Sequence, residues 1–158
     1  MQTVFSDCQQ YRYCLWRAWG NDPANYYLVF IGLNPSTADE TRDDPTTRRC
    51  VRYAQHWGYD ALCLVNLFAY RAVHPAELKK CPDPIGIEND HWIAKCTQTA
   101  PLIIAAWGTH GTYLQRDRAI KTWLNGKLYC LGLTKYGHPR HPLYTPLARG
   151  LCPLAQKS

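Results

Sequence analysis

Four short apolar runs set the strongest limit on what this chain can fold into. They occupy residues 27–33, 61–67, 102–107 and 127–133, and each is bounded by Gly, Pro, Asn or Asp. Their lengths and bounding residues predict β-strands. Their apolar residues are continuous rather than alternating, which is typical of strands covered on both faces in a parallel sheet. The segments between the runs are long enough for helices that cross from one strand to the next.

The clearest helix signal lies between the first two runs. Asp44 suits the N-cap position, and Pro45 suits the first helical position, where its missing N–H costs no hydrogen bond. An apolar stripe follows, and Gly58 marks the end of the helix. The segment is therefore predicted to form the first crossover helix.

Three further elements complete the expected architecture. Two more helices are predicted over about residues 88–97 and 111–124, and the loose alternation of residues 11–19 predicts an added edge strand. Strands and helices then alternate along the chain. This order predicts an α/β fold, a three-layer α/β/α sandwich with a central, mostly parallel sheet of four or five strands.

The composition indicates one folded domain over residues 1–158. Hydrophobic residues make up 46% of the chain, which also contains 6 Trp and 11 Tyr, more than a disordered chain carries. The net charge of +6 at pH 7 favours phosphate-bearing partners, although many ordinary enzymes are equally basic. Charge alone therefore does not choose between a nucleic acid and a small ligand.

Neither a metal nor a cofactor is predicted. The 8 cysteines are all separated by six or more positions, so the chain has no C-x-x-C pair of the kind used by zinc and iron–sulfur sites. It also lacks the Walker loop, the G-x-G-x-x-G fingerprint and the H-E-x-x-H motif. Because it opens without a signal peptide, a twin-arginine leader or a long apolar span, we expect a cytoplasmic protein with reduced thiols and no membrane association.

The ends of the predicted strands indicate where a ligand binds. In open α/β sheets, ligands bind outside the carboxyl ends of the strands. The residues that follow the four runs are rich in polar and aromatic groups, at positions 34–36, 66–71, 107–110 and 134–144. We therefore expect these four exits to converge on one polar crevice walled by aromatic rings.

Asn34 is a candidate for positioning a water molecule. Pro35 disfavours helical geometry at the preceding residue and so restricts where the Asn34 amide points. A carboxamide is not a strong base, but it can place and polarise water. The alternative is an Asx turn, in which the side chain bonds its own backbone. Ser36 either caps the following turn or donates to an oxyanion.

Asn66 is a candidate for reading a base. It ends an apolar strand, where an amide with a donor and an acceptor is costly to bury without a partner, and such a group can read the edge of a flat heterocycle. The alternative is that it pins a neighbouring loop. Phe68 is a candidate for stacking on a base, with a place in the core as its alternative.

His138 and His141 bracket Arg140 on a loop that two prolines stiffen. Three such groups can stabilise a developing anion or grip a phosphate. The two histidines could bind a metal ion only with a third ligand, and the sequence offers none at a clear spacing from them. The candidate contacts to phosphate or nucleic acid are Arg48, Arg49, Arg52, Arg71 and Arg140, and an ordinary solvated face is the alternative for each.

Five motifs together resemble a known family. The stretches GLNPSTAD, DDPTTRR, WGYDALCLVNLFAYR, AAWG and GHPRHPLY are similar to the bacterial domain-of-unknown-function 1643 family over about residues 11–147. These motifs in turn resemble, remotely, the uracil-DNA glycosylase superfamily. That second resemblance implies an α/β/α fold with a central parallel sheet.

The glycosylase resemblance also implies roles for particular residues. The Gly32 to Pro35 segment resembles a Gly-x-Asn-Pro motif whose Asn positions water, although Ser36 replaces the glycine that commonly follows. Asn66 resembles a strand-end Asn that reads the uracil edge. The His-Pro elements resemble a second motif, whose His stabilises the departing base. This chain has one residue more than that motif, so His138 and His141 are alternatives for the motif histidine. Pro142 and Leu143, which follow His141, favour His141.

These observations predict a nucleobase-recognising protein that hydrolyses an N-glycosidic bond at a modified or flipped-out base of DNA or RNA. Two alternatives stay open, a non-catalytic nucleic-acid-binding module and an enzyme that acts on a free nucleoside or nucleotide. The predicted catalytic residues are Asn34, His141 and His138. The predicted base-binding residues are Asn66, Phe68, Ser36, Gly32 and Pro35.

Overall fold

A computed structural model describes residues 1–154 and contains a seven-stranded mixed sheet with the strand order β1-β2-β4-β3-β5-β6-β7. The strands are β1 (Val4–Phe5), β2 (Arg12–Ala18), β3 (Tyr27–Gly32), β4 (Ala61–Asn66), β5 (Leu102–Ala105), β6 (Leu128–Cys130) and β7 (Cys152–Pro153). The α-helices are α1 (Pro45–His56), α2 (Asn89–Thr97) and α3 (Arg116–Trp123). Shorter 3₁₀ segments cover Pro75–Lys80, Gly108–Gln115 and Pro142–Tyr144.

The four predicted apolar runs form the parallel centre of the sheet. Strands β4, β3, β5 and β6 pair in parallel, whereas β2 pairs antiparallel with β4, and β7 pairs antiparallel with β6. The α/β class is therefore confirmed, but the expected count of four or five strands is wrong. Strands β1 and β7 have only two residues each, too few to leave a sequence pattern. The predicted edge strand is β2, and it is not at the edge because β1 pairs with it.

Both faces of the central strands are buried, as their continuous apolar sequences predict. Alternate residues of a strand point to opposite faces. Val29 and Ile31 of β3 therefore belong to one apolar cluster, which includes residues of α2 and α3. Leu28 and Phe30 belong to a second cluster, which includes residues of α1.

The cap of α1 forms as its sequence predicts. Oδ1 of Asp44 accepts a hydrogen bond from the Thr47 N–H at 2.8 Å, and Pro45 is the first residue of the helix. Oδ2 of the same carboxylate accepts from the Ala38 N–H at 3.3 Å, so Asp44 also ties the preceding loop to the helix. The helix ends one residue before Trp57, and Gly58 follows with a φ of +79°.

Replacing Asp44 with alanine should lower the free energy of unfolding by about 1–2 kcal/mol, because the buried carboxylate satisfies two backbone N–H groups that alanine leaves without an acceptor. Asp44→Asn retains a cap acceptor and should lose less. Urea unfolding of the two variants and the wild type measures both values. Equal losses in the two variants would contradict the capping role.

The second predicted helix is confirmed, and the start of the third is wrong. Helix α2 covers Asn89–Thr97, within one residue of the expected bounds. The third was expected from residue 111, but α3 begins at Arg116. Tyr113 is extended, and Leu114 and Gln115 have φ values of +52° and +55°, which break the helical path before α3.

All 8 cysteines of the chain lie within residues 1–154. All 8 cysteines are free thiols, and five of them are buried. Within these residues, no group of three or more His, Cys, Asp or Glu side chains is placed to hold a metal ion. None of the helices in this part of the chain has both the length and the apolarity that a membrane crossing needs.

Candidate functional site

A pocket of about 610 Å³ lies at the carboxyl ends of the parallel strands. Its wall includes residues from all four expected strand exits, together with the first turn of α1 and one residue of β2. The lining includes Arg12, Gly32, Asn34, Ser36, Thr37, Asp44, Thr46, Asn66, Val73, His110, Arg140, His141, Leu143 and Tyr144. Segments that are a hundred residues apart in the chain thus contribute to one cavity.

The amide of Asn34 is fixed by two backbone carbonyls. Its Nδ2 donates to the carbonyl oxygen of Pro35 at 2.9 Å and to that of Ala72 at 2.7 Å. Because both partners are acceptors, the NH₂ group has to face them. Oδ1 makes no hydrogen bond to residues 1–154, so it is the acceptor that Asn34 offers to the pocket. These bonds differ from the Asx alternative, in which Oδ1 would accept from a backbone N–H, and they leave Oδ1 without a partner among residues 1–154.

Asn66 presents an amide without a hydrogen-bond partner in the wall of the pocket. The residue is 4% exposed, and its Nδ2 is fully buried with no partner among residues 1–154. Its Oδ1 accepts no hydrogen bond there either. A buried amide without partners costs about 1–3 kcal/mol, so this side chain is suited to a ligand that supplies a donor and an acceptor.

Gly32 makes room for that amide. Gly32 and Asn66 are register partners across β3 and β4. A Cβ atom on Gly32 would lie 2.7 Å from Oδ1 of Asn66, closer than a carbon and an oxygen can approach without displacement. The glycine at the start of the Gly32 to Pro35 motif is therefore required by the strand-end Asn on the neighbouring strand.

Two side chains that sequence analysis missed anchor the end of β4. Nδ2 of Asn89, at the start of α2, donates to the carbonyl oxygens of Asn66 at 3.0 Å and Leu67 at 3.1 Å. Nε of Arg116, at the start of α3, donates to the Leu67 carbonyl at 3.0 Å, and its Nη2 pairs with Asp90 at 2.7 Å. Both helices thus hold the backbone that carries the Asn66 amide.

Of the two histidines in the His-Pro loop, His141 lines the pocket and His138 does not; His110 also contributes to the lining. Its Nδ1 accepts a hydrogen bond from the Leu143 N–H at 3.2 Å, and its carbonyl accepts from the Thr145 hydroxyl at 2.9 Å. An accepting Nδ1 carries no proton, so the neutral ring has its N–H at Nε2. Burial lowers the pKa of His141 below its ordinary value, with Asp44 opposing the shift. At neutral pH the side chain is therefore a neutral hydrogen-bond donor.

The lowered pKa of His141 predicts a pH dependence of stability. From the ordinary pKa of 6.5 down to the lowered value, the unfolded chain binds a proton that the folded chain excludes. The free energy of unfolding should therefore fall as pH falls through this window. His141→Asn, which keeps an acceptor for the Leu143 N–H, should remove this part of the dependence.

Urea unfolding at pH values from about 5 to 8 measures the effect. His138→Asn is the matched control, because His138 lies outside the lining of the pocket. An unchanged pH dependence in His141→Asn would contradict the assignment of the neutral side chain.

The cationic groups expected to contact phosphate are not gathered at one place. Arg140 lines the pocket, with its Nε donating to the Leu133 carbonyl at 3.2 Å. Arg49 is bound to the Thr145 carbonyl at 2.6 Å, and Arg71 donates to the Gln9 carbonyl at 3.1 Å. Arg48 and Arg52 are exposed on α1, away from the lining. Of the predicted arginines, Arg140 alone lines the pocket.

Two predicted base contacts have other positions. Phe68 is fully buried in the cluster that contains α2 and α3, and its ring lies 5.6 Å from that of Tyr113. It does not line the pocket and lies in the core. Pro35 is also buried outside the lining, where its carbonyl accepts from Asn34 and from the Ala72 N–H.

Arg12 was not predicted, and it is the most buried cation of the pocket wall. The side chain is 3% exposed and stands at the start of β2. Its Nη1 donates to the Ala38 carbonyl at 3.0 Å. Burial lowers the pKa of Arg12 to about 10, which still leaves it charged at pH 7. A sequence signal existed, since an Arg that opens a largely apolar strand is unusual.

The mouth of the pocket has apolar side chains that face solvent. Val73, Leu143 and Tyr144 line the cavity, yet they are 61%, 41% and 79% exposed. Tyr144 lies beside His141, with ring centroids 5.5 Å apart. An exposed ring beside a donor is suited to packing against a flat ligand.

The structure is that of an α/β protein with a pocket at the carboxyl edge of a mixed sheet. A family model described as a protein of unknown function (DUF1643) matches residues 12–143. The chain belongs to this family. The search of curated proteins and the search of solved structures returned no match.

Proposed function

We propose that this protein recognises a nucleobase and hydrolyses its N-glycosidic bond. The observation that carries the proposal is the presence of Asn34, Asn66 and His141 in the lining of one pocket. Each of the three presents a free hydrogen-bonding group with a different chemical use.

Asn66 is the base-reading group of the proposal. Its unpartnered amide offers one donor and one acceptor, which match the alternating acceptors and donors on the edge of a nucleobase. The apolar mouth formed by Val73, Leu143 and Tyr144 supports the same ligand class, because a heterocycle has flat faces as well as a polar edge.

Asn34 is the water-positioning group. Its Oδ1 accepts a hydrogen bond from a water molecule, which attacks the anomeric carbon of the sugar as the C–N bond breaks. The bonding electrons leave with the base, and the water loses its second proton to solvent or to the base. The transition state resembles an oxocarbenium ion, so the attacking water needs placement more than it needs a strong base.

His141 is the group that stabilises the departing base. Negative charge develops on the base as the bond breaks, and a donor held in place in a partly buried site stabilises that charge. The Nε2–H of the neutral ring is such a donor, since Nδ1 is occupied by the Leu143 N–H.

The proposal extends to the fold family. Helices α2 and α3 contribute to the core on one side of the sheet and α1 to the core on the other, which supports a three-layer α/β/α arrangement of the uracil-DNA glycosylase kind. The Gly32 to Pro35 segment and the His141 to Leu143 segment resemble the two motifs of that superfamily. The base is carried either by DNA or RNA or by a free nucleotide, and Arg140 lines the pocket where it can meet phosphate.

A screen for released bases tests the function. The protein is incubated with pools of modified oligonucleotides, free nucleosides and nucleoside monophosphates, and the released bases are analysed by mass spectrometry. We expect release of at least one base by the wild type and its loss in His141→Asn. If the folded wild type releases no base from any pool, the hydrolase proposal is wrong. Binding of a pool member without release would identify a binding module.

A further inference from the structure

Arg12 carries a positive charge that the surrounding protein does not neutralise. Its Nε is buried without a hydrogen-bond partner, and its Nη2 makes no hydrogen bond to residues 1–154. The ion pairs in this part of the chain are Arg17–Asp43, Arg42–Asp39 and Arg116–Asp90, so none involves Arg12. One neutral carbonyl, that of Ala38, is the partner of the whole guanidinium group.

A buried guanidinium with a single neutral partner lowers the stability of a folded protein. A buried ion whose charge is incompletely compensated destabilises the folded state. The group stays protonated at neutral pH, so the cost is not avoided by loss of the charge. A guanidinium with free Nε and Nη2 atoms offers two parallel donors, the geometry that binds two oxygens of a phosphate.

The neighbouring groups add further donors. Ser36 and Thr37 come just before Ala38, both line the pocket, and neither hydroxyl makes a hydrogen bond to residues 1–154. Thr46 lines the pocket from the first turn of α1, a helix of 12 residues whose N-terminus favours anions. The residues that carry a guanidinium, three hydroxyls and a helix N-terminus thus line one cavity.

Asp44 is the acidic group of this region, and it opposes an anion. Both of its oxygens already accept hydrogen bonds from backbone N–H groups, those of Ala38 and Thr47. It is not within ion-pair distance of Arg12, so it lowers the local positive potential without neutralising the guanidinium. Its removal should therefore strengthen the binding of an anion, which makes it a useful probe.

We propose that Arg12, with the hydroxyls of Ser36 and Thr46, binds a phosphate monoester inside the pocket, and that the ligand is a free nucleoside monophosphate. This inference rests on the proposed function, because Asn66 is taken to read the base of the same ligand. In a strand of nucleic acid the phosphates are backbone diesters, which stay outside when one base enters a pocket. A deeply buried cation instead meets the terminal phosphate of a small ligand. The volume of about 610 Å³ is in the range of pockets that enclose such ligands.

Calorimetric titration tests the inference with inorganic phosphate, the four ribonucleoside 5′-monophosphates, the four nucleosides and a single-stranded oligonucleotide without terminal phosphates. For at least one base, the wild type should bind the monophosphate about tenfold to a hundredfold more tightly than the nucleoside, as expected for charge-assisted hydrogen bonds. In Arg12→Met this advantage should disappear, while nucleoside affinity stays within about twofold. Arg118→Gln, an exposed cation on α3, is the matched control and should keep the advantage.

Asp44→Asn provides a second measurement of anion binding, which does not depend on the folding of the Arg12 variant. It should tighten monophosphate binding severalfold and leave nucleoside binding unchanged. Equal affinities for monophosphate and nucleoside in the wild type would overturn the inference, and so would unchanged monophosphate binding in Asp44→Asn. Arg12-dependent binding of the oligonucleotide would identify a polymer phosphate and also overturn it. Arg12-dependent monophosphate binding without base release would sustain this inference and defeat the hydrolase proposal.

Discussion

Replacing Asn34 with alanine is expected to slow base release about a hundredfold or more, with little change in the affinity for the base. The amide does not read the base in the proposed site; it places the attacking water through Oδ1. Loss of a group that acts mainly in the transition state lowers kcat and kcat/KM together. The measurement is the rate of base release under single-turnover conditions, together with the affinity for the substrate.

The variant also removes the donor to two carbonyl oxygens, those of Pro35 and Ala72. A loss of stability of about 1–2 kcal/mol should accompany the loss of activity, so folding has to be verified by circular dichroism and urea unfolding. Asn25→Ala is the matched control, because the amide of the exposed Asn25 bonds Asp22 and lies outside the pocket. An Asn34→Ala protein that is folded and fully active would exclude the water-positioning role.

Asn34→Asp separates the two functions of the amide. The carboxylate has the same shape, but its second oxygen would face the carbonyls of Pro35 and Ala72, where the NH₂ group donates now. Acceptors that face acceptors repel, so the turn should rearrange or the acid should take up a proton. We therefore expect this variant to be no more active than Asn34→Ala. Full activity would indicate a general base in place of a water-positioning amide.

Local sequence predicted the features of the fold that depend on neighbours in the chain. The cap at Asp44 and the proline after it define the start of α1 through contacts within three residues. Continuous apolar runs predicted β3 and β4 because each strand is covered on both faces. The break before α3 could not be predicted in this way, since nothing in the types of Leu114 and Gln115 requires a positive φ.

The residues of the candidate site also divide into those with a local sequence signal and those without one. Asn34, Asn66 and His141 could be found because each stands at a strand end or beside a proline. Arg12 and Asn89 could not, because their positions depend on contacts with residues 26 and 23 positions away, at Ala38 and Asn66. Such contacts arise from the packing of separate elements.

Phe68 shows that a position close to a site residue in the sequence does not establish a place in the pocket. Its distance of two positions from Asn66 suggested a place in the pocket. The chain turns after β4, however, and the ring packs in the core beside Tyr113, a residue far along the chain. Proximity in sequence to Asn66 therefore did not bring the ring into the lining of the pocket.

Gly32→Ala is expected to weaken nucleobase binding about tenfold to a hundredfold, because the added methyl group occupies space that the Asn66 amide needs. The new Cβ would stand 2.7 Å from Oδ1, 3.8 Å from Cγ of Asn66 and 4.0 Å from the Val65 carbonyl. The conflict is thus with the amide oxygen alone, and the amide has to turn or shift. In doing so it loses the orientation that reads the base.

A double-mutant cycle isolates this effect. In the Asn66→Ala background the close contact no longer exists, so a further Gly32→Ala change should leave the remaining affinity unaltered within about twofold. Affinities for uracil, cytosine, adenine and guanine, measured by calorimetry, give the coupling energy for whichever base binds. Gly150→Ala is the control, because a Cβ there meets no atom within 4 Å. Additive losses from the two changes would show that Gly32 acts on the ligand by another route and that Asn66 is not the base-reading group.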